Sequence, residues 1–162
     1  MRLVHRSWVP ALVCLGLSAV LAAPAFAQSD SQVGVWKLNV AKSKYSPGPA
    51  PTTATSTIEA AGAGTKVSVD QTLPDGSKRQ YSFTSNYDGK DVPVTGTNPD
   101  ADTVARTRVN ATTVKTVGKK GGKVTTTQTS TVSADGKTRT VTTTGTNGKG
   151  QAVKNVAVYD RQ

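Results

Sequence analysis

From residue 33 to the end, polar and apolar positions alternate. Val67, Val69, Gln71 and Leu73 share one face of an extended segment, with Lys66, Ser68, Asp70 and Thr72 on the other. The same alternation sets Arg79, Tyr81, Phe83 and Ser85 on one side of the next segment, and Gly34, Trp36 and Leu38 on one side of the first. A period of two belongs to a pleated strand with one face turned inward. No stretch carries a helical repeat. The pattern predicts strands over 33–40, 55–60, 67–73, 78–86, 103–109, 112–117, 123–133, 138–144 and 152–159. A short piece at 92–95 is restricted by Pro93 to an edge or an irregular strand.

The punctuation between these segments is tight. Pro74-Asp75-Gly76-Ser77, Asp88-Gly89, Asn110-Ala111 and Asp135-Gly136 are turn sequences, and Asp-Gly between strands is a hairpin signal. The exception is 41–51, where Pro47, Pro49 and Pro51 make an extended connector. Evenly spaced antiparallel strands joined this way predict an all-β chain, a single up-and-down β-barrel of about eight to ten strands. Closure also removes the edges that Thr/Val-rich strands would offer to aggregation.

The first 27 residues stand apart. Arg2 and Arg6 precede a short apolar run, and Ala25-Phe26-Ala27 has the small-x-small form of a signal-peptidase site. The run is too short to span a bilayer. A cleavable signal peptide over 1–27 and a single domain over 28–162 are therefore expected, with export to the periplasm or the extracellular space as a soluble monomer. The only cysteine, histidine and methionine (Cys14, His5 and Met1) lie within that leader. The domain thus has no thiolate or imidazole for nucleophilic, general-base or metal-ligand work. No enzyme, metal or cofactor is expected.

The leader holds two of the 20 basic residues and none of the 10 acidic ones, so the remainder carries 18 against 10, a net of +8. An exported basic protein meets anionic lipid and polysaccharide before nucleic acid. Its lysines are scattered, which suits solubility at least as well as a polyanion site.

Three local patterns invite chemistry. Asn98-Pro99-Asp100-Ala101-Asp102 spaces oxygen side chains as a calcium loop does, but Thr103 stands where glycine is needed and no acidic residue closes the loop, so a capped turn is expected. Residues 118–123 (GKKGGK) lack the spacing of a phosphate loop and join two strands. Arg106 and Arg108 share a face with Val104, and Arg139 shares one with Val141. Surface charge is the expectation for all three; turned inward, they would demand an anion or a carboxylate. Asn110-Ala111-Thr112 is a glycosylation sequon, relevant only in a eukaryotic host.

Gly34-Val35-Trp36-Lys37-Leu38 near one end and residues 135–159 at the other resemble the calycin barrels, the group of lipocalins and fatty-acid-binding proteins. They also resemble small exported bacterial proteins of that type. The resemblance implies that Trp36 closes one barrel end against a basic side chain of the last strand, with Arg161 or Lys154 as candidates and only Arg161 in phase with Tyr159. Fatty-acid binders hold the ligand carboxylate with an Arg-x-Tyr triplet on that strand. Here it is Ala157-Val158-Tyr159, which keeps the tyrosine without the arginine. The implied function is binding of a small, partly apolar ligand in a barrel cavity, with Trp36, Leu38, Tyr81, Phe83 and Tyr159 lining or closing it. The alternative is a non-enzymatic envelope module whose basic surface binds anionic lipid or polysaccharide.

Overall fold

The computed structural model describes residues 30–162; the leader read over 1–27 lies outside them. Eleven strands follow in order: β1 (Gly34–Leu38), β2 (Thr53–Ala61), β3 (Gly64–Thr72), β4 (Lys78–Ser85), β5 (Asp88–Pro93), β6 (Thr95–Gly96), β7 (Thr103–Arg108), β8 (Thr113–Lys120), β9 (Lys123–Val132), β10 (Thr138–Thr146) and β11 (Ala152–Arg161). All pairings are antiparallel. The first strand joins the last, with Leu38 facing Tyr159 and Trp36 facing Arg161. The result is a nearly closed antiparallel barrel, with β5 and β6 at the two ends of the strand order.

Two features depart from the even meander that the turns predict. There are eleven strands where eight to ten were expected, because the piece around Pro93 splits into β5 and the two-residue β6. Consecutive strands β4 and β5 also do not pair. β4 takes β6, through Tyr81 with Gly96 and Ser82 with Thr95, while β5 takes β7. Tyr87 turns the chain there with a left-handed φ of 60°. The seam is guarded by composition: β5 carries Asp88, Lys90, Asp91 and Pro93, which discourage edge-to-edge association.

Inward positions alternate as the sequence predicts. In β2, Ala54, Ser56 and Ile58 are buried while Thr53 and Glu59 are exposed. Trp36, Leu38, Ala54, Ile58, Val67, Val132, Ala157 and Tyr159 form the core, with Tyr45, Val69, Phe83 and Val141 packed against it. Burying side chains of this size stabilises by about 1.5–3 kcal/mol each. Val104 and Val114 are buried beyond that cluster, and many of the other buried positions are polar, among them Thr65, Ser85, Thr126, Ser130, Arg106 and Arg139.

Candidate functional site

One end of the barrel is plugged. Trp36 is wholly buried and donates its indole N–H to the Gln32 carbonyl at 2.9 Å. The Gln32 side chain, equally buried, donates to the Thr112 carbonyl and accepts from Ser130 at 2.8 Å each. Arg161 lies over the Trp36 ring with its guanidinium carbon 4.2 Å from the centroid. It also donates to the carbonyls of Gly136, Val33 and Ser31. Gly34 makes that stack possible: a Cβ there would run into the Arg161 guanidinium, and its φ of +143° favours glycine.

Above this plug the interior carries charge, and here the sequence expectation is corrected. Arg106 and Arg139 are not surface charge; they are 4% and 6% exposed. Both sit on strands whose inward phase is set by a valine, Val104 on β7 and Val141 on β10. Arg108, also inward, is only partly buried and pairs with Asp30 at 2.5 Å. Asp30 accepts from the Tyr87 hydroxyl at 2.7 Å as well. Tyr87 contacts Thr65 at 3.0 Å, and Thr65 accepts from Arg106 at 2.7 Å. The Tyr87 ring lies between two guanidiniums, with Arg106 at 4.6 Å and Arg108 at 4.2 Å from its centroid. Burial pushes the Asp30 carboxyl up, but the bonds from Arg108 and Tyr87 outweigh it and hold it below the ordinary range.

Arg139 has no such support. It stands beside Tyr159 in the β10–β11 ladder, with its guanidinium 4.9 Å from that ring and 5.4 Å from Trp36. No carboxylate pairs with it among the described residues. Burial pulls it down to about 10, although Tyr159 and Tyr81 act the other way. The Nε atoms of both Arg106 and Arg139 are buried without a hydrogen-bond partner. Among the described residues, Arg106, Arg108 and Arg139 therefore have one paired carboxylate between them, Asp30, while Arg79 pairs with Asp100 at the mouth. Water can complete hydrogen bonds to a buried guanidinium, but it supplies no countercharge, and an unpaired buried ion costs several kcal/mol.

Arg106 and Arg139 border a chamber of about 80 Å³, lined on its other sides by Ile58, Val67, Phe83, Gln128 and Ser130. Gln71, Tyr81, Val141 and Tyr159 line both this chamber and a larger cleft of about 600 Å³ at the barrel mouth. The cleft is walled by Tyr45, Pro47, Pro49, Leu73 and Val153, so the proline-rich connector forms one side of the opening. Tyr45, Tyr81 and Tyr159 sit close enough to influence one another, and burial raises all three phenols above their ordinary value.

Of the five lining residues read from the sequence, Tyr81, Phe83 and Tyr159 border the chamber. Trp36 and Leu38 border neither space and lie in the core beneath. Arg161, the basic partner read for the barrel end, stacks on Trp36, while Lys154 is exposed on β11. Asn98–Asp102 is a turn: Asn98 accepts from the Asp100 amide, and Asp100 holds Gly148 at 2.7 Å and Arg79 at 3.7 Å. No group of three or more His, Cys, Asp or Glu placed to hold a metal occurs among the described residues. Residues 118–123 form the β8–β9 hairpin. Sequence reasoning weighed Arg106 and Arg139 as inward cations but favoured the surface for them, and Asp30 it missed.

No helix among the described residues is long and apolar enough to cross a membrane. No protein-family model matches the sequence, and no curated protein matches it. Among solved structures, the chain is similar to zebrafish ileal bile acid-binding protein complexed with cholic acid. The identity is 14%, over 82% of this chain and 99% of that one, with a TM-score of 0.49. A likeness that distant says nothing of what this barrel holds.

Proposed function

We propose that this is an exported binding protein, not an enzyme, whose barrel takes a small amphipathic ligand carrying an acidic group. The observation that supports it most is the pair of buried guanidiniums, Arg106 and Arg139, lacking countercharge on a chamber that shares four lining residues with the mouth cleft. An acidic head in the chamber would supply that charge. The apolar part would lie in the cleft against Tyr45, Leu73 and Val153, with Tyr81, Phe83 and Tyr159 at the junction. Burial there contributes roughly 25 cal/mol per Å² of apolar surface, and the head fixes orientation. Trp36 and Leu38 support the chamber from below, and Arg161 holds Trp36 in place. Export rests on the leader pattern in the sequence.

Native mass spectrometry of the purified protein, with titration of a lipophilic fluorophore displaced by dodecanoate and by dodecanol, tests this. Saturable binding that the acid displaces better than the alcohol is expected. No co-purified ligand and no saturable binding would refute it.

A further inference from the structure

The chamber carries more charge and more donors than a carboxylate uses. Among the described residues, the one carboxylate paired with Arg106, Arg108 or Arg139 is Asp30, and Arg108 takes it directly. That leaves two positive charges on the chamber wall. A guanidinium offers five N–H donors. Arg106 spends one on Thr65, and Arg139 bonds to no described residue. Tyr81 and Tyr159 bring phenol O–H groups to the same wall; of the tyrosine hydroxyls, only that of Tyr87 is hydrogen-bonded among the described residues. A carboxylate answers this with a single charge and two oxygens. A phosphate monoester answers it with up to two charges and three terminal oxygens.

We propose that the acidic head held between Arg106 and Arg139 is a tetrahedral oxyanion, a phosphate monoester ahead of a carboxylate, with Tyr81 and Tyr159 donating to its remaining oxygens. This rests on the reading of the barrel as an amphiphile-binding site and specifies its head. Size agrees: about 80 Å³ is the room of two or three waters, enough for a head group and no chain. The apolar chain leaves past Val141 and Leu73 into the cleft. Among the described residues, the titratable groups on the chamber wall are Arg106, Arg139, Tyr81 and Tyr159, and each keeps one protonation state between about pH 5 and 8. Any change of affinity in that window therefore belongs to the ligand, whose second ionisation falls near pH 6.

Calorimetric titration of the purified full chain tests this with dodecyl phosphate, dodecanoate, dodecanol and inorganic phosphate. Dodecyl phosphate is expected to bind at least about tenfold tighter than dodecanoate at neutral pH, and to weaken as pH falls through about 6. Arg139→Met should abolish that preference. Tyr81→Phe and Tyr159→Phe, which remove one oxygen each and preserve packing, should each weaken the phosphate ester several-fold more than the acid. Equal or tighter binding of dodecanoate would overturn the assignment while leaving the amphiphile reading intact. Failure of all three dodecyl compounds would overturn both. Inorganic phosphate binding as tightly as its dodecyl ester, with the same dependence on Arg139, would support the oxyanion and overturn the amphiphile.

Discussion

Arg139 and Tyr159 are cross-strand partners, paired directly in the β10–β11 ladder with the guanidinium 4.9 Å from the tyrosine ring. On β11 itself, the position two residues before Tyr159 and on the same face is Ala157, which carries no charge. The pairing returns a cation to the tyrosine from the neighbouring strand. Two residues apart on one strand and directly across a ladder are both same-face relationships, so the two routes bring similar groups to the interior. Ala157 itself is buried in the core and borders the mouth cleft.

Arg139 is expected to cost the unliganded protein stability. Its guanidinium is buried, lacks a carboxylate and is pulled down to about 10. Arg139→Met keeps most of the volume and removes the charge, a change that often stabilises by about 1–4 kcal/mol. Chemical denaturation without ligand should show a higher midpoint for the variant, while binding of an acidic amphiphile is lost. A destabilised variant would mean that stacking on Tyr159 and Trp36 outweighs desolvation.

Alkaline pH should unfold the protein through its tyrosines. Burial raises Tyr45, Tyr81, Tyr87 and Tyr159 above their ordinary value of 10.0. Between that value and the folded values, the unfolded chain has lost phenolic protons that the folded chain retains, so stability falls as pH rises. Arg139 opposes this, since its folded value is depressed and its contribution to stability rises above pH about 10. Four phenols outweigh one guanidinium. Tyrosinate absorbance should therefore lag behind that of the denatured chain and then appear together with loss of structure. Independent titration of the tyrosines near 10 in a folded protein would contradict the burial.

Much of this architecture was legible in the alternation alone. Val67, Val69 and Gln71 face inward together, as do Arg79, Tyr81 and Phe83, because one buried face specifies register across a whole strand. The break at β4–β5 was not legible. It depends on Tyr87 adopting a left-handed turn and reaching Asp30, a contact between residues far apart in sequence. The buried arginines were misread for a different reason. Exposure is the ordinary state of arginine, and that general preference was allowed to outweigh the local phase. On β10, threonines hold every outward position from Thr138 to Thr146, so Val141 and Arg139 had to share the interior. The chemistry lay where pattern and residue type disagreed.

Asp30 is expected to anchor the segment before β1. Asp30→Asn removes the countercharge from Arg108 and the acceptor for Tyr87, and leaves Arg106, Arg108 and Arg139 without a paired carboxylate among the described residues. The Arg108 side chain is 33% exposed and Asp30 17%, so solvent screens part of the loss, and a cost of about 1–2 kcal/mol is expected at neutral pH. Asp30's folded value lies below its ordinary 3.8, so its contribution is present above 3.8 and disappears as pH falls through the folded value. Urea denaturation of both proteins should show a gap at pH 7 that closes in strong acid. A gap that persists there would point to packing rather than charge.

Gly34 and Arg161 should prove energetically coupled. Gly34→Ala meets two obstacles, a φ of +143° and the Arg161 guanidinium where the Cβ would go. The backbone part of the cost is about 1–3 kcal/mol. The steric part comes in addition, because Arg161 must leave the Trp36 face and its three carbonyl acceptors. In an Arg161→Ala background the second obstacle is gone, so Gly34→Ala should cost less by roughly 1 kcal/mol or more. Denaturation midpoints of the wild type, both single variants and the double variant close this cycle, with Trp36 fluorescence reporting solvent entry at the plugged end. Strict additivity would show that φ alone excludes a side chain at Gly34. Coupling of the expected sign would show that the glycine is there to let Arg161 cover Trp36.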